Sequence, residues 1–272
     1  MPSVIWFPKK NEQRYYDSHY LFLKNLLSNA GMTIKEYKEK RKERGFIIIY
    51  GNKKILIDYG DHHPIAGDWQ EFEIQFRFHY SKKAHGDLSG VSPLTPISFY
   101  DWDQYIGLQA EIKYTCNTNK ILNNQMPGAA AMERRKRIQW MLKQRYDTDF
   151  DTEITDKVTF WKKTNKCLVS VCVPGARNDI LDRGQFQYMA FGACTISPAL
   201  DIKLPYWREM EAGVHYLSCL PDCSDLIDII EYCKNNRDTC RAIGRRAKAL
   251  FFDVGTPDKV WIWMKECIEE LR

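Results

Sequence analysis

The segment Asp58-Tyr59-Gly60-Asp61-His62-His63-Pro64 directly follows the apolar run Ile55-Leu56-Ile57. Ligands in open α/β sheets gather outside the carboxyl ends of strands, so a carboxylate and two imidazoles at such an end are placed for general-base work. Asp68, in Gly67-Asp68-Trp69, is a second carboxylate close by in sequence. The same residue types also build an ordinary turn, with Asp58 and Asp61 accepting from local backbone and the histidines in water. Residue type alone leaves both readings open.

Arg177 and Arg183 come after the apolar run Cys167–Val173 and its Pro174-Gly175 break, where a loop enters a helix. Backbone N–H groups at such a helix start, with guanidinium forks beside them, suit a diphosphate. Gly175 stands alone there, without a Walker or Rossmann glycine fingerprint. Arg134, Arg135, Lys136 and Arg137 stand near another helix start, where cations oppose the dipole, and they read as a solvated face unless an anion is near. Lys35–Arg44 interleaves its cations with Glu36, Glu39 and Glu43, again a solvated helix face.

A metal site finds little support. His62 and His63 are adjacent, so on a strand they point to opposite faces. Cys219 and Cys223 lack a second ligand pair at zinc spacing. Asp147-Thr148-Asp149-Phe150-Asp151 resembles the Asp-x-Asp of metal-dependent sugar-nucleotide transferases, but there the acidic pair follows a buried strand. Here it follows a helix ending near Arg145 and Tyr146, and Asp101-Trp102-Asp103 is no better placed. Solvated or capping carboxylates are expected at both.

The elements that must position these groups fit a chain of 272 residues, 44% hydrophobic and 28% charged: one large or two small domains, and no global disorder. No run approaches the roughly 18 apolar residues of a membrane span. Met1–Lys10 lacks the basic start and apolar stretch of a secretory signal, so a cytoplasmic setting is expected. Nine cysteines, an odd number in apolar settings, read as reduced thiols. The net charge of +5 suits an anionic ligand, while acid-interrupted basic clusters argue against nucleic acid.

Spacing predicts alternating α/β order. Val4–Phe7 reads as a buried strand, and Tyr16, Tyr20, Leu23 and Leu27 as a helix that ends at Gly31. Phe46–Tyr50 and Ile55–Tyr59 read as strands around a Gly51-Asn52 hairpin turn. Phe72, Ile74, Phe76 and Phe78 alternate with Glu73, Gln75 and Arg77, predicting a half-exposed strand, and Ser89–Pro96 reads as loop. Beyond a division near residue 105, strands are expected at Ala110–Cys116, Cys167–Val173, Ala193–Ser197 and Gly213–Leu217. Helices are expected around Ile138, Met141 and Leu142, around Phe186 and Met189, and along Leu226, Ile229, Ile230 and Cys233, with Asp222 or Ser224 capping the last. Thr256 and Pro257 open a final helix with Val260, Met264, Cys267, Ile268 and Leu271 as its stripe.

The run Asp182-Arg183-Gly184-Gln185-Phe186-Gln187-Tyr188-Met189-Ala190-Phe191-Gly192-Ala193 resembles the GT-B glycosyltransferase segment in which an Arg precedes a helix ending in Ala/Cys-Gly. Trp207, Gly213-Val214-His215-Tyr216-Leu217 and Asp222-Cys223-Ser224-Asp225-Leu226 follow in the order of a run in the protein O-glucosyltransferase and capsule-associated family. Exostosin-like enzymes share parts of it, and the small glycosyltransferases of large algal viruses (chloroviruses), a xylosyltransferase among them, are similar. The resemblance covers roughly residues 165–255.

It implies an α/β, GT-B protein of two Rossmann-like domains facing across a cleft. Residues 1–105 would form the acceptor-side domain and 106–255 the nucleotide-sugar domain, with the helix of 256–272 packing back on the first. The donor-binding Arg falls on Arg183. Arg177 is its substitute, because the Arg-to-Gly distance is one residue longer than the family's. Gln187 takes the place of the Glu that meets the ribose, with Gly175 in the same donor loop. The family's catalytic Asp falls on Asp61, in the strand-to-turn context Ile55–Asp61, with Asp68 as the rival base and His62 and His63 on the acceptor side.

The implied reaction is an inverting, metal-independent transfer of xylose or glucose from a UDP-sugar to a glycan or glycoprotein hydroxyl. It needs no cofactor, nucleic acid or membrane span. The family's secretory signal is absent from this sequence, so the expected setting is cytoplasmic, the host's cytoplasm for a viral chain. Two alternatives remain: an Asp147/Asp149 metal-dependent GT-A transferase, and a nucleotide-sugar or glycan-binding module without turnover.

Overall fold

A computed structural model of the chain describes residues 3–6, 21–28, 30–37, 45–58, 69–86, 88–95, 102–126, 131–175 and 180–270. The chain divides into two compact units. Unit 1 comprises Met1–Asp103, Ile202–Glu209 and Asp253–Arg272, and unit 2 comprises Gln104–Asp201 and Met210–Phe252.

Unit 1 is built on a six-stranded sheet of β1 (Ser3–Trp6), β2 (Ile34–Tyr37), β3 (Gly45–Tyr50), β4 (Lys53–Asp58), β5 (Ile74–Arg77) and β6 (Val91–Pro93). Their order is β2-β1-β3-β4-β5-β6, and β3 runs antiparallel to both of its neighbours while the other pairs are parallel. The β3–β4 hairpin depends on Gly51, whose φ of +64° is the left-handed backbone that the first central residue of a two-residue hairpin loop requires. The core packs Phe22, Leu23 and Leu27 from helix α1, described over 21–28, and Phe46, Ile55, Ile57 and Phe76 from the sheet. Against them lie Val260, Trp263, Met264 and Ile268 of α9 (Pro257–Glu270). The short α2 (Lys82–His85) is capped by Ser81, and Thr256 caps α9, its hydroxyl accepting from the Lys259 amide at 3.4 Å.

Three expectations fail in this unit. Lys35–Tyr37, read as the start of a solvated helix face, lies in strand β2. β5 is buried on both faces, with Gln75 and Arg77 each 1% exposed, because both side chains meet the Asp58 carboxylate. Alternation marks a strand, but it does not show whether the polar face meets water. The stretch read as loop at Ser89–Pro96 contains β6, a short strand pairing with β5 from Gln75 opposite Val91. Its Pro93 sits at the sheet edge, where the missing N–H is tolerated.

Unit 2 holds β7 (Ile121–Leu122), β8 (Phe150–Asp151), β9 (Val169–Val171), β10 (Thr195–Pro198) and β11 (Leu217–Cys219) in the order β11-β10-β9-β7-β8, parallel throughout. Read from the β8 edge this is the doubly wound order 2-1-3-4-5, whose winding reverses between β7 and β9. Its helices include α4 (Met132–Tyr146), α5 (Lys157–Lys163), α6 (Arg183–Ala190), α7 (Leu226–Asn235) and α8 (Arg237–Val254). Val169, Val171 and Ile196 pack among Ile138, Leu142, Leu226 and Ile243, the two-sided burial a parallel sheet needs. A Cβ at Gly244 of α8 would stand 1.9 Å from the Gly192 carbonyl, so only glycine permits that backbone approach.

The strand expected at Ala110–Cys116 is instead the end of α3 (Trp102–Glu111) and irregular chain beyond it. Tyr105 and Leu108 are its buried residues, and Ile112 just beyond its end continues the same helical spacing. β11 starts at Leu217 and not at Gly213, which takes φ +76° in a turn closed by its amide on the Tyr216 carbonyl at 2.7 Å. Asp225 holds the cap position of α7 without a side-chain cap bond, and Asp222 accepts from the Ser224 amide and hydroxyl at 3.1 and 2.8 Å. All nine cysteines are free and buried, and burial pushes the Cys167 and Cys267 thiols up to about 12. No helix among the described residues is long and apolar enough to cross a membrane.

Candidate anion site at the carboxyl edge of unit 2

The winding reversal of unit 2 places the ends of β7 and β9 side by side. Amide side chains stitch them together. Asn123 Nδ2 donates to the Val171 carbonyl at 2.8 Å, while Gln125 accepts from the Val173 amide at 2.6 Å and donates to its carbonyl at 3.1 Å. α4, which follows β7, brings Arg134 and Arg135 to this junction. Arg135 donates to the Val173 carbonyl through Nε and Nη2 (3.1 and 2.7 Å), to the Met126 carbonyl at 2.8 Å and to Asp182 Oδ2 at 3.0 Å. Arg134 donates to the Pro174 carbonyl and, at 3.1 Å, to that of Gly175.

The expected solvated face is therefore corrected. Arg134, Arg135 and Arg137, which donates to the Asp222 carbonyl at 2.7 Å, are brackets for the loops at the strand ends. Cations that oppose the α4 dipole are compensated by carbonyl oxygens and one carboxylate brought in from other segments. Burial holds the Arg134 guanidinium below its usual pKa, and Arg135 beside it acts in the same direction. Its Nε is buried without a hydrogen-bond partner among the described residues.

α6 begins on the far side of the β9 loop. Asp182 caps it, accepting from the Gly184 amide at 2.8 Å, and the half-buried Arg183 is its first helical residue. Lys157 opens α5, the helix after β8. That residue is exposed overall, and its ammonium folds back over the Phe160 ring, 5.4 Å from the centroid. Partial burial pushes its pKa down, the Arg183 charge adds to this, and Asp182 opposes. Arg135 pairs with Asp182, Lys157 feels the charges of both Asp182 and Arg183, and Arg134 stands beside Arg135, so four cations lie where three helices begin, an arrangement suited to a ligand with several negative charges.

Of the other donor-side residues, Gly175 lies in the bracketed loop, and Arg177 lies outside the described residues. Gln187 is 2% exposed, and its Oε1 accepts from the Trp161 indole at 3.1 Å. It shares the Arg183 face of α6 by spacing, but Trp161 of α5 covers it there, so this residue is interior. Asp61, Asp68, His62 and His63 also lie outside the described residues.

What unit 1 does show at its own carboxyl edge is a pair that sequence spacing did not reveal. Asp58 and Arg77 end β4 and β5 in direct register. Arg77 Nη1 lies 2.8 Å from Asp58 Oδ2 with both side chains buried, and Gln75 Nε2 donates to the same oxygen at 2.9 Å. Burial lowers the Arg77 pKa and the Asp58 charge raises it. Asp58 is therefore held within the sheet, not in a local turn. An Arg inside an otherwise apolar alternation was the one available signal.

Asp147 and Asp149 sit on a short 3-10 turn after α4, where Lys143 pairs with Asp147 at 2.7 Å in an exposed ion pair. Among the described residues, no group of three or more His, Cys, Asp or Glu is arranged to hold a metal ion.

No protein-family model matches this sequence, and no curated protein matches it. Solved structures do match in fold. A glycosyltransferase from Rickettsia africae ESF-5 superposes with TM-score 0.57 at 8% identity, covering 98% of this chain and 97% of that one. HepE of Anabaena, in complex with UDP and glucose, gives TM-score 0.58 at 9% identity, with 98% of this chain and 99% of that chain covered. Its complex with UDP gives 0.58 at 8% identity over 99% and 100%. The chain has the GT-B fold of two Rossmann-like domains, which sets aside the GT-A alternative.

Proposed function

We propose that the protein is a glycosyltransferase that takes its sugar from a UDP-sugar held at the carboxyl edge of unit 2. The observation that carries this reading is the cluster of Arg134, Arg135, Lys157 and Arg183 at the winding reversal, where doubly wound sheets hold their ligands. HepE, of the same fold, is seen with UDP and with glucose, which supports UDP as the carrier. Negative charge grows on the diphosphate as the glycosidic bond breaks. Arg183 and the start of α6 stabilise it there, and the four cations do the work a metal would otherwise do. Asp61 takes the proton of an acceptor hydroxyl, Asp68 being the second candidate, with His62 and His63 on the acceptor side. In-line attack inverts the anomeric carbon. Xylose or glucose is the sugar and a glycan or glycoprotein the acceptor, both from the family resemblance, and activity persists in EDTA.

Calorimetric titration with UDP tests the reading. Arg183→Ala is expected to weaken UDP binding by about 1.5–3 kcal/mol, the worth of a charge-assisted hydrogen bond. Asp61→Asn is expected to leave UDP affinity intact and lower turnover about 10²- to 10⁴-fold. A folded Arg183→Ala variant that binds UDP as tightly as the parent removes the donor site from this position.

A further inference from the structure

We infer that unit 1 carries a separate binding pocket for a neutral saccharide, formed where residues 206–208 meet the start of α9. The cleft, open to solvent, holds about 400 Å³ and is lined by Tyr206, Arg208, Asp253, Lys259, Ile262 and Glu266, among others. That volume is in the range of small-molecule sites.

Its charges balance, two cations against two carboxylates, and Arg208 and Asp253 are only loosely paired at 3.7 Å. A phosphate or a carboxylate gains nothing from such a wall. Sugar hydroxyls do, since each both donates and accepts, and vicinal hydroxyls can meet a carboxylate and a guanidinium together. Tyr206 and Ile262 add the apolar surface that the C–H face of a sugar ring needs.

The backbone gives an independent reason. Tyr206 (φ 58°, ψ 26°) and Trp207 (φ 56°) are consecutive bulky residues in the left-handed region, a strain that persists only where surrounding structure enforces it. Here the Tyr206 hydroxyl donates to the Lys259 carbonyl at 2.7 Å and its ring packs 5.2 Å from that of Trp263. Trp207 meets Tyr80 and Trp263 edge-on at 5.4 and 5.9 Å and yet stays 49% exposed. The strain fixes one aromatic ring in the pocket wall and leaves a second open beside it. That the saccharide is part of the acceptor rests on the glycosyltransferase reading, whereas the pocket's preference for a neutral sugar does not.

The test is a titration of the full chain with xylobiose and cellobiose, read by tryptophan emission, since Trp207 and Trp263 flank Tyr206. Saturable binding at or below about 10 mM is expected, weakened about tenfold by Tyr206→Ala and by Glu266→Gln. The second variant changes no strained residue and guards against loss of folding. UDP titrated in parallel is expected to bind all variants alike. No saturable change, unaltered affinity in both variants, or displacement of the disaccharide by inorganic phosphate overturns the inference. Saccharide binding by a chain that ignores UDP upholds the pocket and removes the donor reading, so the two fail separately.

Discussion

Among the described residues at the carboxyl edge of unit 1, charge is paired off: Arg77 and Gln75 both meet the Asp58 carboxylate in the sheet interior. At the carboxyl edge of unit 2, on a partly open surface, Arg135 pairs with Asp182 and shares loop carbonyls with Arg134, while Lys157 feels the charges of Asp182 and Arg183, so four cations stand against one carboxylate. Both edges present strong cations at strand ends, yet only one leaves an excess of positive charge. A buried pair balanced internally has no charge left to attract a ligand and serves to hold strands and the chain that follows them. An unbalanced, half-exposed cluster is suited to binding an anion. The difference separates a positioning role for Arg77 from the ligand role proposed for Arg183, two arginines that look alike in sequence.

The largest test asks whether the unit 1 edge stands without the helix beneath it. Truncation after Gly255 removes the buried Val260, Trp263, Met264, Cys267 and Ile268, each worth about 1.5–3 kcal/mol when large and apolar. Loss of the cooperative melting of unit 1 is expected, and a truncated chain with the parent's thermal transition contradicts it.

Next in size is the closed pair itself. Arg77→Met or Asp58→Asn alone is expected to lose about 3–5 kcal/mol in urea unfolding, because one charge stays buried without its partner. The double replacement is expected to recover part of this. Equal losses in single and double variants would mean that the pair is not coupled.

Arg135→Ala probes the open edge. Removing its bonds to Val173 and Asp182 is expected to reduce stability by about 1.5–3 kcal/mol and to weaken UDP binding as well. Arg183→Ala lowers affinity alone, so the two variants separate bracket from ligand contact in one denaturation and one calorimetric series.

The smallest effect concerns Asp156, the cap of α5 beside Lys157. It accepts from the Thr159 amide at 3.1 Å, and its bonds to Thr159 hold its pKa below the usual aspartate value. A depressed folded pKa contributes stability above the unfolded value near 3.9 that is lost as pH falls through the folded value. Asp156→Ala is therefore expected to lower Tm slightly at neutral pH and to converge with the parent in acid. A constant difference at every pH would exclude the carboxylate as the cause.

The sequence by itself determined what depends on local period and local backbone chemistry. The Gly51-Asn52 hairpin, the buried strand around Val169–Val171, the helix opened by Arg183 and the stripe of α9 are set by spacings of two to four residues and by special φ values. The run Asp182–Ala193 carried enough pattern to suggest the GT-B fold. What only the tertiary structure decided is where polar side chains find their partners. Arg135 meets Asp182 from 47 residues away, and Asp58 receives Gln75 from 17. Periodicity cannot distinguish a polar face that meets water from one closed by another segment, because the two differ only in what long-range packing brings opposite. Arg134 and Arg135, read as solvated, became the brackets of the candidate site for this reason. Gln187, read as a ligand contact, lies inside because Trp161 of another helix covers it.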